Sequence, residues 1–181
     1  MKQDPEVQKA IYPDGDMATN MPEPVKDKQP LRILALAVAI SQIGVEEIPK
    51  NSNSGPDVEM FLKSVGLGKG YSWCMAFLYW CFMTAAKEAG LVNALIKTGG
   101  CMAQWNRINA QYKSQEPQIG SLVIFDHGGG NGHVAIIEKI EGDQMHTVEG
   151  NTNDEGSREG YEVCRRIRKM SDPKIKGYIT V

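Results

Sequence analysis

The stretch Tyr71-Ser72-Trp73-Cys74-Met75-Ala76-Phe77-Leu78-Tyr79-Trp80-Cys81-Phe82-Met83-Thr84-Ala85-Ala86 decides how this 181-residue chain folds. From Trp73 to Ala86 it is apolar almost all round, with Ala76, Phe77, Leu78, Trp80, Phe82 and Met83 spread over every side of a helical period. A helix without a polar face is one enclosed by the rest of its fold. Ser72 is a suitable N-cap, which predicts Cys74 at the second helical position. The first N–H groups of a helix lack intrahelical partners and carry the positive end of its dipole. A thiol there is stabilised as the thiolate, and the same N–H groups can receive an oxyanion. Taken on position alone, a cysteine packed as a small apolar residue is the plainer reading.

Working outward, Gly66, Gly68 and Gly70 separate this helix from one predicted to begin at Pro56, a good first-turn residue, and to run to about Val65. Lys50-Asn51-Ser52-Asn53-Ser54-Gly55 is a loop, and an earlier helix is expected from Leu31, just after Pro30, to Ile43, just before Gly44. Residues 1–30, punctuated by Pro13, Pro22, Pro24 and Pro30, form a flexible arm ahead of a domain at 31–181. Downstream, short helices are expected over Leu91–Lys97 and Cys101–Tyr112. From Pro117 the period changes to that of strands: Ser121–Phe125, His133–Glu138, Met145–Glu149, Tyr161–Arg168 and Lys176–Val181, separated by Gly and Asp. Helices first and an antiparallel sheet second make an α+β fold, with N-terminal helices packed on the sheet.

Composition narrows the function classes. Twenty Lys and Arg against 22 Asp and Glu leave a net charge of -2, and the pI is near 5.9. That balance speaks against a nucleic-acid partner, which would demand a surfeit of cations for phosphate. The most apolar early run, Leu31 to Ile40, carries Arg32 and is half the roughly 20 residues a membrane span needs, so no stable membrane insertion is expected. The first residues, Met1-Lys2-Gln3-Asp4-Pro5-Glu6, lack the basic and apolar regions of a secretory signal. Synthesis in a reducing cytosol is expected, with export by another route left open. Four irregularly spaced cysteines in a chain this long do not describe a disulfide framework.

Thiol and imidazole chemistry must therefore draw on Cys74, Cys81, Cys101, Cys164, His127, His133 and His146. Cys81 lies deep in the apolar run and is assigned to packing. Cys101, after Gly99-Gly100, also opens a helix and is the rival nucleophile. Cys164, among Arg165, Arg166 and Arg168, has no nearby base and is structural. His133 opens an apolar strand whose partner returns through Glu141-Gly142-Asp143, a hairpin turn. Pairing Ile140 with Asp143 or Gln144, or slipping by one, brings Glu149, Gly150 or Asn151 across from His133. Glu149 and Asn151 share a strand face and His146 faces the other way, so hairpin geometry supplies an acceptor or amide that fixes the imidazole. His127, in the Gly-rich loop, is substrate-side or merely exposed. That loop lacks the Lys-Ser/Thr of a phosphate-binding loop. Histidine spacing does not suit a metal, and no cofactor is expected.

Trp73-Cys74-Met75-Ala76-Phe77, Gly120–Phe125, Gly132-His133-Val134-Ala135-Ile136 and Val148-Glu149-Gly150-Asn151 occur in that order. Together they resemble the CHAP family of cysteine, histidine-dependent amidohydrolases and peptidases, relatives of the NlpC/P60 group, over roughly residues 31–155. The resemblance implies a papain-like fold, with Cys74 as nucleophile, His133 as base, and Glu149 and Asn151 at the orienting positions. Trp73, Tyr71 and His127 are expected on the substrate side. Met75 stands where a small residue is often found, a change expected to reshape the pocket, and the calcium-binding cluster of some phage relatives has no counterpart.

The activity implied is hydrolysis of an amide bond in bacterial peptidoglycan, as an N-acetylmuramoyl-L-alanine amidase or an endopeptidase, in the manner of an endolysin. The chain would be a monomer acting on the cell wall after lysis or non-classical export, with an inhibitor or immunity protein as a further partner. The alternatives are hydrolysis of a small amide conjugate, and an inactive wall-binding or phage structural module.

Overall fold

The computed structural model describes residues 29–153 and 160–181. The expected arm at 1–30 lies outside the described residues except for Gln29 and Pro30. Among the described residues four helices come first: α1 (Leu31–Ser41), α2 (Pro56–Ser64), α3 (Cys74–Ala89) and α4 (Cys101–Arg107). Six strands follow: β1 (Lys113–Ser114), β2 (Leu122–Gly128), β3 (Asn131–Glu141), β4 (Gln144–Thr152), β5 (Glu162–Lys169) and β6 (Ile175–Ile179). They form one antiparallel sheet in the order β1-β6-β2-β3-β4-β5. The fold is α+β, as the change of period at Pro117 predicts.

Helix α3 is the axis of the core. Its residues Met75, Ala76, Phe77, Leu78, Cys81 and Phe82 are fully buried, between α1 and α2 on one side and the sheet on the other. Val58, Phe61 and Leu62 of α2 join them, and Leu122, Ile124, Val134, Ile136 and Val148 close the cluster from the sheet. Alternation along the strands sends Val123, Phe125, Ala135, Ile137, Met145 and Tyr178 into a second, smaller cluster. No helix among the described residues is long and apolar enough to cross a membrane.

Three local expectations are corrected. Leu91–Lys97 is not helical: after Gly90 ends α3 in a left-handed conformation with φ 65°, Asn93 turns the chain by accepting the Leu95 N–H at 3.0 Å. The segment from Cys101 breaks after Arg107, because Ile108 is extended, and resumes as a 3₁₀ turn at Ala110–Tyr112 capped by Asn109. Ser72 does not cap α3. Trp73 occupies that position without a side-chain bond, which makes Cys74 the first helical residue rather than the second.

The β3–β4 hairpin sets the site. Glu141 pairs with Gln144 and Ile140 with Met145, a tight turn at Gly142-Asp143. A bulge at Glu138 then shifts the register, so that Ile137 meets Thr147 and Ile136 meets Val148. The shift turns Glu149 onto the sheet face that carries Met145, Ile137 and His133, where an unbulged ladder would have turned it away.

Candidate active site

The thiol and the imidazole come from opposite layers. Cys74 is held at the N-terminus of α3 by the residue before it. Trp73 is completely buried, packs against Phe61 and Phe77, and donates its indole N–H to Glu47 Oε1 at 2.8 Å. Glu47, itself buried, accepts the Asn53 backbone N–H at 2.9 Å through its other oxygen. The carboxylate thus ties the loop before α2 to the start of α3. Trp73 is therefore a buried anchor beneath the thiol, and it does not line the cleft that holds Cys74.

His133 is buried and directs Nε2 to Glu149 Oε2 at 2.7 Å. Glu149 has no exposed surface, yet each oxygen is matched. Arg168 donates to both, Nε to Oε1 at 2.8 Å and an Nη to Oε2 at 2.6 Å, and the Thr147 hydroxyl donates to Oε1 at 2.7 Å. The Arg168 guanidinium also lies over the Phe125 ring, 5.3 Å from its centroid. A two-pronged guanidinium bond fixes the plane of a carboxylate, so Glu149 presents one defined edge to the imidazole.

The charge states follow. Burial disfavours the Glu149 carboxylate, but the bonds from Arg168 and His133 outweigh it and hold the group well below the ordinary carboxylate range. Burial also works against a charged His133, and the hydrogen bonds to Cys74 and Glu149 overcome it, raising the imidazole from 6.5 to about 9. The Cys74 thiol is brought well below its usual value, first by the hydrogen bond from Cys101 and then, against burial, by His133 and the Met75 backbone N–H. The last is the free donor of a helix start meeting a sulfur. With Nε2 committed to Glu149, Nδ1 is the ring nitrogen left for the thiol.

Cys74, His133 and Asn151 line one cleft of about 160 Å³ together with Ser72, Gly99, Gly100, Cys101 and Gly130–Gly132. Glu149 stands behind His133, and it makes the imidazole bond for which Glu149 and Asn151 are both candidates in the sequence. Asn151, in a left-handed conformation with φ 58°, is buried and lines the cleft, and its Oδ1 has no partner among the described residues. Tyr71 is exposed, and neither it nor His127 lines the cleft. Met75 is fully buried in the core and does not line the cleft. No cluster of His, Cys, Asp or Glu able to hold a metal ion occurs among the described residues.

Three contributors escape sequence reasoning: Glu47, Arg168, and Cys101 as a neighbour of Cys74. For Arg168 a signal exists, since strand alternation puts Cys164, Arg166 and Arg168 on the face that Glu149 occupies across β4–β5. Glu47 and Cys101 meet α3 only through the tertiary fold.

Residues 66–151 match the model of the CHAP domain. Among solved structures it is similar to Ly7917, with a TM-score of 0.51, 20% identity, and coverage of 82% of this chain and 62% of that one. Ly7917 with the hydrolysis product of MDP aligns with a TM-score of 0.50 and 22% identity over the same shares. The peptidoglycan hydrolase RipB from Mycobacterium tuberculosis aligns at 0.44 and 18%, covering 83% of this chain and 64% of that one. The chain thus spans less than two thirds of these neighbours' lengths. A search of curated proteins returns no match. The architecture shared with Ly7917, helices packed on an antiparallel sheet with Cys74 opening the central one, is the one that the resemblance in the sequence implies.

Proposed function

We propose that this protein is a cysteine amidase or peptidase that hydrolyses an amide bond of bacterial peptidoglycan. One observation carries the reading: Cys74 at the first turn of a buried helix shares a cleft with His133, whose Nε2 is fixed by Glu149 at 2.7 Å. The CHAP match over 66–151 supports the class of substrate.

The steps follow from the charges. The resting pair is a Cys74 thiolate and a His133 imidazolium. The thiolate attacks the amide carbonyl, and the oxygen that becomes negative is received by N–H groups at the start of α3, where the helix dipole favours it. His133 gives its proton to the leaving amine. It then takes one from water, which cleaves the thioester and restores the thiol. Glu149, held ionised by Arg168, stabilises the imidazolium and keeps its ring in the plane of attack. Asn151, which lines the cleft and whose Oδ1 has no partner among the described residues, is suited to take an N–H of the bound peptide. The bond cleaved is either the sugar–peptide amide or an amide within the stem or cross-link peptide.

Purified walls incubated with wild type and with Cys74→Ala, followed by mass spectrometry of the released muropeptides, test this. New amino termini are expected with wild type and none with the variant, and the masses name the bond. Release that survives Cys74→Ala overturns the proposal.

A further inference from the structure

The hydrolytic steps leave one reactive group in the cleft unused. Cys101, the first residue of α4, places its Sγ 3.4 Å from the Cys74 Sγ. The two thiols are 27 residues apart in the chain. Both are nearly buried, and both line the same solvent-connected cleft. Each is the first residue of its helix, so each is held by a rigid element. Glycines clear the space around them. A Cβ on Gly132 would stand 3.2 Å from the Cys101 Cβ and 2.7 Å from the Phe125 carbonyl oxygen. A sulfur–sulfur bond is about 2.05 Å long, so the gap closes by a side-chain rotation and a small shift of α4, whose start follows Gly99-Gly100.

We propose that Cys101 is a resolving thiol, so that oxidation of Cys74 by a peroxide is captured as a reversible Cys74–Cys101 disulfide. In the first step the Cys74 sulfur attacks the peroxide O–O bond. A sulfenic acid forms on Cys74, and the other oxygen leaves as water after taking a proton. In the second step the Cys101 sulfur attacks the Cys74 sulfur. The S–S bond forms, the S–O bond breaks, and the departing hydroxyl takes the Cys101 proton as a second water. Two thiols are oxidised and one peroxide is reduced. The environment orders the steps: Cys74 is the thiolate, while the neighbouring sulfur and burial push Cys101 up and keep it protonated. Without a neighbour at contact distance, a sulfenic acid at Cys74 would proceed to the irreversible sulfinic acid. That the disulfide also switches off hydrolysis rests on Cys74 being the nucleophile proposed above.

The test reads mass before activity. Wild type treated with one equivalent of hydrogen peroxide is expected to lose two hydrogens. Peptide mapping without reductant should then join the peptides holding Cys74 and Cys101, and dithiothreitol should separate them. Under the same treatment Cys101→Ser is expected to gain oxygen at Cys74, with recovery lost as the dose rises. Sulfinic acid at Cys74 of wild type while Cys101 stays free, or a cross-link from Cys74 to Cys81 or Cys164 instead, overturns the proposal. If Cys101→Ser fails to fold, the wild-type mapping decides alone. A protein that forms this disulfide yet leaves walls intact when fully reduced refutes the hydrolase reading and keeps this one, and the reverse result refutes only this one. Where both hold, peroxide abolishes wall digestion and dithiothreitol restores it in wild type but not in Cys101→Ser.

Discussion

Glu149 is the residue on which the charges of the site depend. It is buried between Arg168 and His133, and Cys74 and the ionised Glu149 together keep the imidazole charged up to about 9. The rate is therefore expected to rise with pH as Cys74 ionises below its usual range, and to fall as His133 loses its proton near 9. Glu149→Gln keeps the shape and removes the charge. Its kcat should drop on the order of 100-fold, with the alkaline limb moved to lower pH, measured as a pH–rate profile on purified walls. A profile whose alkaline limb does not move would show that Glu149 holds position only. Cys74, His133 and Glu149 were legible in the sequence because motif, helix start and hairpin each confine them to a few places. Arg168 was less so, since its reach to Glu149 spans four residues along β4, and the length of a side chain is not written in alternation.

At the scale of elements, the site depends on small residues where β4 and β3 meet the helices. A Cβ on Gly150 would stand 2.7 Å from the Trp73 ring and 2.9 Å from the Phe77 ring. Gly150→Ala must push β4 off α3, and overpacking of this kind costs about 1–3 kcal/mol. Urea unfolding of wild type and variant measures that loss, and a larger fractional loss of activity than of stability is expected, because Gly150 lies between Glu149 and Asn151. The apolar run of α3 and the alternation of β2 to β4 announced these elements, since burial on all sides and on alternate sides leave different patterns. The extended break at Ile108 and the bulge at Glu138 left none. A bulge is the compromise between a turn and the packing of two sheet faces, and no single stretch carries both terms.

For the whole molecule, the buried charges link stability to pH. Folded Glu149 stays ionised where the unfolded carboxylate takes a proton, near pH 4.3, so the unfolded chain binds more protons there and stability falls as pH falls through that range. His133 has the opposite sign: raised from 6.5 to about 9, it contributes fully below 6.5 and its contribution is lost as pH rises through 9. The Cys74 thiolate offsets that loss, because the unfolded thiol keeps its proton until about 8.5. Denaturant titrations should therefore show stability nearly flat from 6.5 to about 8.5 in wild type, and declining over the same interval in Cys74→Ala, where His133 still feels Glu149. A flat curve in both would mean that Glu149 alone does not keep His133 charged.

The sequence by itself determined the α+β order, the buried helix behind Cys74, and the hairpin that carries His133 and Glu149 toward each other. These rest on local patterns, in which a helix or strand writes its period and a turn its glycines. Only the tertiary structure decided that Trp73 is an anchor held by Glu47, that Glu149 rather than Asn151 takes the imidazole, and that Cys101 lies against Cys74. Each is a contact settled by packing the whole core at once, and no local pattern records it.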